Sequence, residues 1–122
     1  MKRSPERLEF LRDVLGAFIS SSSENPVCDV RRIEYVRDGN YYTSVDVKYD
    51  DEPDSDAWHK VDVETIARAF GLIARNEVPD VSDKWRASVL ESRRQNDAGE
   101  IDGPRASNII EIGVFGRLVY IW

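Results

Sequence analysis

The chain has 122 residues, with 17 Lys or Arg against 23 Asp or Glu, for a formal net charge of −6. That length suits one domain, residues 1–122, with a single hydrophobic core that needs no staples. The acidic balance argues against a general nucleic-acid binder, which needs a basic footprint to displace counterions, and one Cys with one His excludes an internal disulfide or a Cys/His zinc site.

The basic start, Met1-Lys2-Arg3, is followed by an apolar pattern that Glu9, Arg12 and Asp13 interrupt, so a secretory leader is not expected. No run is long and apolar enough for a membrane span, and the reducing cytoplasm is the expected compartment. Ser4-Pro5-Glu6 has the chemistry of a helix start, with a hydroxyl cap, a proline in the first turn and an early acid. Leu8, Leu11, Leu15, Phe18 and Ile19 then recur at three- and four-residue spacing, predicting an amphipathic helix of about four turns that the serine run 20–23 ends.

From Val27 the period shortens. Val30, Ile33, Tyr35 and Val36 predict a strand, with a break in alternation at Arg31-Arg32 that reads as a bulge. Asp38-Gly39-Asn40 predicts a hairpin, with Gly39 supplying the positive φ. The second strand alternates cleanly: Tyr41, Thr43, Val45, Val47 and Tyr49 to one face, Tyr42, Ser44, Asp46, Lys48 and Asp50 to the wet one. Residues 50–56 hold five acids, Asp50, Asp51, Glu52, Asp54 and Asp56, around Pro53. A short third strand from Trp58 leads to Asp62, the cap of a helix expected from Val63 to about Asn76, with Val63, Ile66, Ala67, Phe70, Ile73 and Ala74 inward.

Ser82 or Asp83 caps a polar helix that carries Trp85 and Val89 on one face and Arg86, Arg93 and Arg94 outside. After an acidic turn, Asp102-Gly103-Pro104 opens a last segment that is apolar nearly all round, broken only by Glu111 and Arg117. Helix is expected through about Val119, with a strand over 117–122 as the competitor. The order predicts an α+β fold: an N-terminal helix, a three-stranded antiparallel meander and three C-terminal helices on one sheet face.

The turn Gly99-Glu100-Ile101-Asp102 resembles the calcium loop of the EF-hand and dockerin families. Matching Gly99 to the turn glycine puts Asn96 and Asp102 at ligand positions, but it also puts Arg94 and Arg105 where ligands should be. The expected reading is a metal-free joint between helices, with no metal ligand and no cofactor. His59 lacks a nucleophile beside it, and strand alternation sends Asp62 to the opposite face. Cys28 reads as a small buried hydrophobe. No glycine-rich phosphate loop, Gly-x-Ser-x-Gly or His-Glu-x-x-His occurs, so no catalytic residue is assigned.

Val61-Asp62-Val63-Glu64-Thr65-Ile66-Ala67-Arg68 and Gln95-Asn96-Asp97-Ala98-Gly99-Glu100-Ile101-Asp102, followed by Phe115-Gly116-Arg117-Leu118-Val119-Tyr120, are similar to stretches of small uncharacterised proteins of actinobacterial phages and mobile elements. The resemblance spans the C-terminal half and implies an accessory factor, with no assigned chemistry and no functional residues. The expected function is a non-enzymatic interaction or regulatory protein with a protein partner. Its contact set would be Asp50, Asp51, Glu52, Asp54 and Asp56 together with Arg37 and Tyr42 on the hairpin. The alternative is a nucleic-acid-related role, either a carboxylate mimic of DNA or a single-strand binder through Arg31, Arg32, Arg37 and Tyr35, Tyr41, Tyr42. Terminal Tyr120 and Trp122 also suit docking of a second copy, a homodimer.

Overall fold

The computed structural model describes residues 3–50, 52, 57–120 and 122. Along the chain run α1 (Pro5–Ser20), a short 3-10 turn (Ser22–Glu24), β1 (Cys28–Val36), β2 (Tyr41–Tyr49), β3 (His59–Asp62), α2 (Val63–Ala74), α3 (Asp83–Gln95) and α4 (Gly103–Phe115). The strands form one antiparallel sheet in the order β1-β2-β3. This is the α+β order that the sequence predicts. Among the described residues no helix is long and apolar enough to cross a membrane.

Each helix starts on a side-chain cap that satisfies an otherwise orphaned N–H. Ser4 Oγ accepts from Arg7 N at 3.1 Å, Ser82 Oγ from Trp85 N at 3.0 Å, and Asp102 Oδ1 from Arg105 N at 3.0 Å. At α2 the cap is reciprocal. Asp62 Oδ1 accepts from the Glu64 and Thr65 amides at 3.0 and 3.2 Å, while Thr65 Oγ1 accepts from Asp62 N at 3.3 Å.

The core is where α1, α2 and α4 meet the inner face of the sheet. Val45, Val47, Tyr49 and Val61 supply the sheet side, and Phe10, Phe18, Ile66, Ile73, Ile109 and Ile112 the helical side, all fully buried. Phe10 and Phe70 join α1 to α2 with ring centroids 5.4 Å apart. α3 leans chiefly on α2. A buried polar link ties the start of the sheet to α4, with Asn25 Nδ2 donating to Ser107 Oγ at 3.1 Å. α2 and α4 approach so closely that a Cβ on Gly113 would lie 2.4 Å from the Thr65 carbonyl oxygen.

Several expectations are corrected. The hairpin's positive φ falls on Asn40, at 56°, and not on Gly39. The turn closes through Asn40 N to the Arg37 carbonyl at 3.2 Å, and asparagine tolerates this conformation. The Tyr41 ring lies over Gly39, and a Cβ there would lie 2.1 Å from Tyr41 Cε1, so any larger residue would have to displace that ring. Tyr42 does not stand on the wet face. It is half-buried against the core, reaching toward Gly16 of α1, while Ser44 is buried. The bulge is present, with Arg32 at φ 52° and the pairing register shifting between Arg31 and Glu34.

α2 stops at Ala74, two residues short of the expected end; Ala67 packs on the core as expected, Ala69 is buried as well, and Ala74 is exposed. The last helix stops at Phe115. Gly116 takes φ 78° and its N–H returns to the Ile112 carbonyl at 2.8 Å, a left-handed cap that turns the chain away. Residues 117–120 are neither helix nor strand.

Candidate interaction surface and the buried acid beside it

The bulge gives β1 its surface. Residues 31–35 are exposed without interruption, and Ile33 and Tyr35 stand out at 45% and 44% accessibility. Tyr35 leans on Tyr42 with centroids 4.9 Å apart, and its hydroxyl donates to Asn40 Oδ1. The neighbouring cations are partly committed. Arg31 Nε and Arg32 Nη1 lie 3.5 and 3.7 Å from Asp46 Oδ2, and the Arg31 guanidinium sits 3.9 Å over the Trp58 ring. Arg37 is exposed at the turn.

The acids of the expected contact set fare differently. Asp51, Asp54 and Asp56 lie outside the described residues. Asp50 is exposed, and its N–H donates to the Val27 carbonyl at 3.2 Å. Glu52 turns inward, with Oε1 2.6 Å from His59 Nε2 and a side chain only 11% accessible. His59 therefore finds its acid seven residues back along the chain. Asp62, considered from sequence as its partner, is occupied in capping α2. The imidazole is packed edge-on against Phe115, at 5.3 Å, and lies 6.3 Å from Tyr49. An imidazole–carboxylate pair can move protons, but here it also clamps the segment after β2 onto β3.

Glu111, a charged break in the apolar C-terminal segment by sequence, is completely buried in the structure. Oε1 accepts the Val119 N–H at 3.1 Å and also the Tyr120 N–H. Oε2 and the Tyr49 hydroxyl have no hydrogen-bond partner among the described residues. Burial pushes the Glu111 carboxyl up to about 7, opposed by the two amides. Tyr49 stacks flat on Tyr120 at 5.1 Å and tilts on Phe115 at 5.3 Å. Burial, then the charges of Cys28 and Glu111, raise its hydroxyl far above the ordinary value. The Cys28 thiol is pushed up to about 12 by burial first and Asp29 next, so it is no thiolate near neutrality. The signal for Glu111 was legible: it sits between Ile110 and Ile112 in a helix that is apolar on almost every side.

At the joint between α3 and α4, Asp97 Oδ1 accepts the Gly99 N–H at 2.9 Å, and Ile101 is buried as its anchor. The two arginines considered at ligand positions have other partners, Arg94 with Glu91 and Arg105 with Ser88. Among the described residues no group of three or more His, Cys, Asp or Glu side chains is placed to hold a metal ion. Arg93, expected on the outer face of α3, lines a pocket between the helices together with Arg7 of α1. Comparison of the chain with protein-family models, with curated proteins and with solved structures found no match.

Proposed function

We propose that the chain is a small non-enzymatic binding protein, an accessory factor of the phage or mobile-element kind, which engages a protein partner through the outer side of the β1–β2 hairpin. The observation that supports this reading is the unbroken exposure of Arg31–Tyr35, with Ile33 and Tyr35 both large, apolar and open to solvent. Interface cores favour such a mixture of aromatic, aliphatic and guanidinium groups. Exposed Asp50 would give this surface an acidic end and Arg37 its turn end. Cytoplasmic residence belongs to the same proposal.

A nucleic-acid role is the weaker proposal. Arg31 and Arg32 share Asp46, Tyr35 and Tyr42 lean on each other, and the net charge is −6. The test is affinity capture from the native host with wild-type chain and with an Ile33→Asp, Tyr35→Ser variant whose circular dichroism matches it. A defined protein captured only by the wild type is the expected result. Capture unchanged by the variant overturns this surface, and a salt-sensitive oligonucleotide shift in its place selects the alternative.

A further inference from the structure

Beyond the hairpin reading, we infer that the pocket between α1, α2 and α3 is a binding site for a small organic oxyanion, a carboxylate or phosphate on an apolar body, gripped by Arg7 and Arg93. The pocket has a volume of about 250 Å³ and is lined by Arg3, Arg7, Leu11, Ala67, Phe70 and Arg93. A second hollow of about 350 Å³ adjoins it, sharing Arg7 and Arg93 and adding Leu90 and Ala74. Leu11 and Phe70 are almost wholly buried, so the floor is apolar and the rim cationic.

In a chain with six more acids than bases, the arginines of this rim are unevenly partnered. Arg3 grips Glu64 through two bonds of 2.5 and 2.8 Å, and Arg94 grips Glu91 at 2.5 and 2.8 Å. Arg7 and Arg93 have no carboxylate among the described residues. Arg7 is instead aimed by neutral groups: Nε donates to Asn96 Oδ1 at 2.6 Å and Nη2 to the Arg93 main-chain carbonyl at 3.2 Å. Neither bond uses Nη1, which has no hydrogen-bond partner among the described residues. Asn96 is itself fixed as the left-handed cap of α3 at φ 51°. Arg93 is held below the ordinary guanidinium value by burial and then by the charge of Arg7.

Two like charges crowded over an apolar floor are costly without a ligand and become favourable with an anion between them. A planar guanidinium offers paired donors that match the two oxygens of a carboxylate or phosphate, and weak hydration suits it to a half-buried site. An apolar body on the ligand would cover Leu11 and Phe70.

The test titrates phenylacetate, phenyl phosphate and inorganic phosphate into the ¹⁵N-labelled full chain. Expected are amide shifts at Leu11, Ala67 and Phe70 with at least one aryl anion, which binds about tenfold or more tighter than inorganic phosphate. Whichever aryl anion binds identifies the head group. Arg93→Gln, which breaks no side-chain hydrogen bond among the described residues, is expected to weaken binding at least tenfold. No shift at those amides, equal binding of inorganic phosphate, or unchanged binding by Arg93→Gln each overturn the assignment.

Discussion

Glu111 Oε1 accepts the main-chain N–H of Val119, 3.1 Å away and eight residues further along, so one buried carboxylate fastens the chain that follows α4. The same oxygen takes the Tyr120 N–H, which holds the Tyr120 ring flat on Tyr49. The carboxyl titrates near 7 in the fold, against 4.5 for a free side chain. The folded state therefore holds a proton that the unfolded chain has released between those values. Stability from this group is complete below about 4.5 and declines as pH rises through about 7, by about 3 kcal/mol in all. Urea unfolding across pH 5–8 should show that decline, and Glu111→Gln should flatten it. Equal slopes in both proteins would reject the assignment.

Gly113 sits where α4 crosses α2. Alanine is the better helix former by about 1 kcal/mol, so an exposed glycine would gain from the exchange. Here the added Cβ would press on Thr65, 2.4 Å from its carbonyl oxygen and 2.8 Å from Cγ2. The backbone oxygen cannot swing aside, and the separation that lets Arg68 Nε reach the Gly113 carbonyl at 2.8 Å would have to widen. Over-packing of about 1–3 kcal/mol wins. Gly113→Ala is expected to melt lower than wild type; a higher melting temperature would show that the two helices can part at no cost.

Asp62 ends β3 and starts α2, satisfying two amides with one oxygen. Asp62→Ala should lose about 1–2 kcal/mol, the usual worth of such a cap. Asp62→Asn, which keeps the acceptor, should recover most of it. Chemical denaturation of the three proteins provides the comparison, and equal losses in both variants would place the effect in charge, not in the cap.

Ile33 is 45% accessible and is not among the side chains packed on the core, so Ile33→Lys should leave stability within about 0.5 kcal/mol of wild type. A larger loss, read from the same denaturation curves, would mean that this side chain packs in solution and is no free contact surface.

Much of this fold was legible because its signals are local. Ser4, Asp62, Ser82 and Asp102 act as caps where the sequence places them, and the irregular alternation at Arg31-Arg32 is a real bulge. What escaped depends on pairs distant in sequence. Arg7 and Arg93 each look like solvated charge on its own helix, and only the packing of α1 and α3 on α2 brings Arg7 to the Arg93 carbonyl. Glu52 read as one of five equivalent acids, but β3 returns His59 to its side. The helix boundary at Gly116 lost to the β-branched and aromatic run beyond it, since composition there suits helix, strand or neither. Tyr42 followed the alternation of its strand on paper, while the approach of α1 decided its surroundings.

The left-handed Arg32 has a consequence for solubility. β1 is an outer strand nine residues long, the kind of open rim along which foreign ribbons can zip. The kink at Arg32 cuts that rim into short lengths, and the opposite rim, β3, offers four residues with Lys60 and Asp62 among them. Neither rim gives a long flat template of the kind on which cross-β assembly grows, although Ile33 and Tyr35 stand exposed beside one of them.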